Sequence, residues 1–129
     1  MKLSPIITAF LTELEKSAVK PKQVEPYEGQ FEDLRNFTIQ PPAIFVDMPS
    51  GGYSNQMLKY KRAEVVLYVF SSSLHSNDQT IAMLDIIDTI SDEIMTSKIL
   101  PTKKITYNGF EKLGNFPGLK VYQMNFTIS

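Results

Sequence analysis

Between Lys59 and Ser71 the chain reads KYKRAEVVLYVFS, and its apolar positions fall on both sides of an extended backbone. Ala63, Val65, Leu67 and Val69 share one side, and Val66, Tyr68 and Phe70 share the other. This predicts a central strand whose second half is buried on both faces. Lys59, Lys61, Arg62 and Glu64 make the first half polar, so it is expected to leave the core for solvent or for another subunit.

Ahead of that strand, Ser4-Pro5 is a helix start: the hydroxyl caps free N–H groups and proline suits the first helical position. Ile6/Ile7, Phe10/Leu11 and Leu14 then form an apolar stripe that predicts a helix from Pro5 to Lys16 or Ala18, stopped by Pro21. Val24–Tyr27, broken by Pro26, suits a short edge strand, and Phe31–Phe37 a helical turn. The proline-bounded run Pro41–Met48, PPAIFVDM, reads as a buried strand. Pro49–Leu58, PSGGYSNQML, reads as a flexible loop that completes an antiparallel hairpin with the central strand.

After the strand, Ser71–Asp78 reads as a loop that supplies helix caps, and the next helix is expected over Asp78–Ser97. Met83, Ile87, Ile90 and Ile94 form its core stripe at spacings of 4, 3 and 4, with Asp85, Asp88 and Asp92 opposite. Ile81, Leu84 and Met95 form a second apolar flank, more than one buried face requires, and point to a subunit contact. Two further strands, Lys104–Leu113 and Leu119–Ile128, are joined by a turn over Gly114–Gly118. Tyr122, Met124, Phe126 and Ile128 alternate with Gln123, Asn125 and Thr127, the signature of one dry and one wet face. Together these predict an α+β fold: a mostly antiparallel four- to five-stranded sheet with two amphipathic helices packed on one face.

A length of 129 residues suits one domain over 1–129, able to bury roughly two-thirds of its unfolded surface. The net charge of −1 gives no overall attraction to nucleic acid or an anionic membrane. The absence of cysteine excludes disulfides, thiolate catalysis and thiolate metal sites. Neither a signal peptide nor an apolar run of membrane-spanning length is read in the chain.

Candidate chemistry is sparse. His75, the one histidine, lies among serines with Asp78 three residues on, but no G-x-S-x-G accompanies it, so a solvent-exposed loop histidine is favoured over a general base. Asp85, Asp88 and Asp92 lack the spacing and glycine of a calcium loop and read as a solvated face, or as partners for basic residues of a neighbouring subunit. Gly51-Gly52 has no phosphate-loop context. Lys59/Lys61/Arg62 and Lys98/Lys103/Lys104 read as strand-end and helix-end charge rather than as a nucleic-acid site. No catalytic residue, cofactor or metal is expected, and the chain is read as a non-enzyme.

The succession of an N-terminal amphipathic helix, PPAIFVDM, AEVVLYVF, QTIAMLDIIDTISDEI and LKVYQMNFTIS resembles the small Mu-like prophage proteins of the tail-terminator type, over about Leu3 to Ile128. The proline-broken segment Lys20–Gln40 departs from the simplest version of that pattern. The resemblance implies a structural protein of the virion tail, made in the bacterial host cytoplasm. Such proteins form a ring, commonly a hexamer, that ends the tail tube and docks the head connector. Its partners would then be further copies of itself, the tail tube and head–tail connector proteins, with no membrane and no sequence-specific nucleic acid.

For a ring, the expected subunit interface comprises Ile81, Leu84 and Met95 together with Lys61, Arg62 and Glu64, and an open edge such as Val24–Tyr27 is a further candidate surface. Ser50, Gly51, Gly52, Tyr53, Leu74 and His75 are expected in loops that reach the tube or connector. The alternatives are a monomeric adaptor binding a partner at an open sheet edge, or a small enzyme built on His75 and the aspartates.

Overall fold

The computed structural model describes residues 4–28, 38–53, 61–72, 76–116 and 119–129, with the backbone alone at 50–53, 61, 72, 76–80 and 114–116. Seven elements follow one another: α1 (Ser4–Glu15), β1 (Gln23–Pro26), β2 (Ala43–Tyr53), β3 (Lys61–Ser72), α2 (Ser76–Thr96), β4 (Ile105–Phe116) and β5 (Leu119–Ile128). The strands form one open sheet in the order β1-β2-β3-β5-β4. β1 pairs parallel to β2, and every other pairing is antiparallel, so the fold is α+β with a mixed, mostly antiparallel sheet.

β3 sits in the middle, as its two-sided apolar pattern requires. Its odd positions Ala63, Val65, Leu67 and Val69 join Ile44 and Val46 of β2 and Tyr122, Met124, Phe126 and Ile128 of β5. Both helices close over this face, α1 through Ile6, Phe10 and Leu14 and α2 through Met83, Ile87, Ile90 and Ile94. Phe126 is fully buried at the centre, with the Phe10 ring edge-on at 5.6 Å and the Tyr107 ring at 5.0 Å. The other face divides in two. Ala43, Phe45, Phe70, Leu119 and Val121 form a second apolar cluster, covered by Tyr27 and Ile39. Around Glu64, Asn108 and Thr127 the same face is polar.

The ends of α1 and α2 are tied together by one carboxylate. Past Glu15 the chain tightens into Lys16 N–H to Glu13 O and Ser17 N–H to Leu14 O bonds, both 3.1 Å, and Lys20 turns left-handed (φ 54°) before Pro21. Glu93 of α2 accepts the Ser17 hydroxyl at 2.5 Å and the Ala18 N–H at 3.1 Å, so two donors of the turn that follows α1 find their acceptor on the neighbouring helix.

Three sequence expectations are corrected. Ser50, Gly51, Gly52 and Tyr53 are not a loop: β2 continues through them, pairing with Glu64, Ala63, Arg62 and Lys61. Between Asp47 and Ser50 β2 advances three residues while β3 advances two, from Val66 to Glu64. This bulge lets Pro49 sit where the ladder needs no N–H. Secondly, β4 runs on to Phe116 across register shifts at Tyr107/Gly109 and Lys112/Gly114, so residues 114–116 belong to a strand and not to a turn. Thirdly, α2 begins at Ser76, within the expected loop. The edge strand appears at Gln23–Pro26, and the helical turn expected at Phe31–Phe37 lies outside the described residues.

Candidate assembly surface

α2 turns its core stripe inward so completely that Met83, Ile87, Ile90 and Ile94 are at most 1% exposed. With 3.6 residues per turn, Ile81, Leu84, Asp85, Asp88, Asp92 and Met95 all fall on the outward side. Among these Ile81 is 61%, Leu84 36% and Met95 44% exposed. The outer face therefore alternates apolar side chains with carboxylates, and no described element covers it.

β4 borders this face. Ile105 and Tyr107 pack under the helix, while Phe110 and Leu113 remain 48% and 40% exposed at the sheet edge. Phe110 leans on Tyr122, its ring 5.8 Å away. The Tyr107 hydroxyl is buried without a hydrogen-bond partner among the described residues. Burial, reinforced by the negative charge of Asp88, raises its pKa above the usual 10. Asp88 thus lies within electrostatic reach of β4.

Lys61, Arg62 and Glu64 stand elsewhere. Arg62 Nη2 meets Glu64 Oε1 at 3.2 Å, the Thr127 hydroxyl donates to Glu64 Oε2 at 3.3 Å, and Asn108 Nδ2 donates to Thr127 Oγ1 at 2.7 Å. An even position of β3 faces away from the helices, so this network lies on the uncovered part of the opposite sheet face. Its ion pair is solvent-exposed and adds little stability. Lys61 pairs with Tyr53 at the end of the β2–β3 ladder, beyond Ala63, where β5 stops opposite at Ile128. The two strands therefore project past the sheet as a short arm. The expected interface residues are not brought together; they occupy two different sides of the subunit.

The loop residues Leu74 and His75 lie outside the described residues. Among the described residues no group of three or more His, Asp or Glu side chains is placed to hold a metal, and no helix is long and apolar enough to cross a membrane. The sequence reading missed the exposed Phe110 and Leu113, since only the strand order shows that β4 is an edge. It also missed Glu93, whose partners come 75 and 76 residues earlier in the chain. Compared with protein-family models the chain matches none, and none of the curated proteins searched matches it.

Proposed function

We propose that the protein is a structural component of a phage or prophage tail that assembles as a ring, most simply a hexamer, on the end of the tail tube. The ring would stop tube growth and present a docking surface to the head connector. What supports this reading is the outer face of α2, where Ile81, Leu84 and Met95 stay exposed although the helix already buries a full core stripe. A ring needs one surface of a subunit to meet a different surface of the next. The α2 face and the polar face around Arg62 and Glu64 are two such unlike surfaces. The test is light scattering across a concentration series with negative-stain imaging, with and without tail-tube protein. Rings of one size support the reading, and a monomer that ignores the tube protein contradicts it.

The second reading, a monomeric adaptor that adds a partner strand, draws on the outer edge of β4, which has no described neighbour. Two bulges and Lys112 work against it, because they twist and charge the edge in the way that discourages strand addition. Pro26 has the same effect on β1 at the other edge.

A further inference from the structure

Where α2 gives way to β4 the chain folds a recess. Ser97 N–H still donates to Glu93 O at 3.1 Å, Lys98 then turns left-handed (φ 52°), and Lys103 N–H donates to Leu100 O at 3.0 Å. One residue further on, Lys104 and Ser129 exchange two backbone hydrogen bonds of 2.9 Å. The result is an open recess of about 310 Å³ with Ile94, Leu100 and Ile105 in its floor and Met95, Lys98 and Lys103 at its rim. Both lysines are exposed, and neither makes an ion pair among the described residues. The volume is at the lower bound of small-molecule sites, roughly 300 Å³, so it suits a few side chains better than a large ligand.

An apolar floor under two exposed ammonium groups is complementary to an apolar side chain flanked by carboxylates. The outer face of α2 carries that combination in its first half, where Ile81, Leu84, Asp85 and Asp88 recur at i, i+3, i+4 and i+7 and therefore form one stripe. We infer that the recess receives this stripe from a second copy of the chain, with Leu84 entering the floor and Asp85 and Asp88 meeting Lys98 and Lys103. The inference rests on the ring reading and makes the recess, rather than the polar face around Arg62 and Glu64, the surface that meets the α2 face. A subunit cannot fill its own recess: Leu84 and Met95 are eleven residues apart on one helix, about 16 Å. The contact is then heterologous and propagates from copy to copy, closing wherever the rotation between neighbours allows.

The absence of cysteine permits a direct test. Leu84→Cys and Lys103→Cys are made singly and together in the full chain and oxidised mildly. Leu84 lies about 16 Å along α2 from Met95, which lines the recess with Lys103, so within one subunit the two positions are not expected to come within the roughly 7 Å Cα separation that a disulfide tolerates. The double variant is expected to give a ladder of linked oligomers, the mixed single variants a linked dimer, and each single variant alone nothing. In parallel, Lys98→Glu/Lys103→Glu and Asp85→Lys/Asp88→Lys are each expected to raise the concentration needed for assembly at least tenfold, with unchanged circular dichroism. Placed together in one chain, the four reversals are expected to restore assembly. Restoration carries the inference even where the engineered sulfurs miss each other. If the wild type assembles while neither cross-links nor charge reversals behave this way, the inference is overturned and the ring reading stands. If the single variants cross-link as readily as the pair, the contact is symmetric and the inference also falls. A wild type that stays monomeric with tube protein present overturns both.

Discussion

α1 and α2 press stripes of the same kind onto the same sheet face, Ile6, Phe10 and Leu14 from the first and Met83, Ile87, Ile90 and Ile94 from the second. Their outer faces differ. α1 exposes Thr8, Thr12 and Glu15, whereas α2 exposes Ile81, Leu84 and Met95 among its aspartates. Inward residues answer to the core, and both helices satisfy it. The outward apolar residues of α2 have no counterpart on α1, so the requirements of this fold do not account for them. The contrast separates residues that hold the subunit together from residues available to hold subunits to one another.

The inward half of the comparison carries the largest expected effect. Phe10 is fully buried with its ring against Phe126, so Phe10→Ala should cost about 3–5 kcal/mol in urea unfolding. Leu84→Ser, measured at concentrations low enough to keep the protein monomeric, should change stability by less than about 0.5 kcal/mol. Comparable losses for the two would erase the distinction. Next comes the link between the helices. Glu93→Ala leaves the Ser17 hydroxyl and the Ala18 N–H without their acceptor and should cost about 1–3 kcal/mol, read from the same denaturation midpoint.

Tyr107→Phe, beneath α2, removes a buried hydroxyl that has no partner among the described residues and is expected to be neutral or stabilising by up to about 1 kcal/mol. Its pH dependence has a definite sign. The folded protein holds the phenol proton more tightly than the unfolded chain does, so native Tyr107 lowers stability as pH rises from 10 through its higher folded value. Melting curves of Tyr107→Phe should fall less steeply than wild type over that alkaline range and run parallel to it below pH 9. The smallest effect belongs to the outer face of α1, where Thr8→Glu with Thr12→Glu should leave the assembly state measured by light scattering unchanged.

Much of this architecture was legible because burial leaves a periodic trace. Val65–Phe70 could only be a strand covered on both faces, and the Met83–Ile94 spacing could only be a helix against a core. Ile81, Leu84 and Met95 stood out for the same reason, as apolar residues outside the period. Pro49 misled, since a proline normally ends a strand, but the bulge at Asp47/Ser50 gives it a place that needs no N–H. The parallel pairing of β1 with β2 had no local signal. Its anchoring includes the Gln23 side chain, which accepts the Gln40 N–H at 2.6 Å and donates to Thr38 O at 3.2 Å, a match between segments that neither one announces alone. The recess beside Lys98 was equally hidden, because residues from α2, the following turn and β4 meet there only after the chain has folded.

The most direct test of the α2 face is the mass of Leu84→Glu/Met95→Lys beside that of the wild type, by light scattering over the same concentration series. The account predicts a folded monomer for the double variant where the wild type forms a ring, an association weakened at least a hundredfold. A double variant that forms rings at the wild-type concentration would show that the exposed apolar residues of α2 do not hold the subunits together.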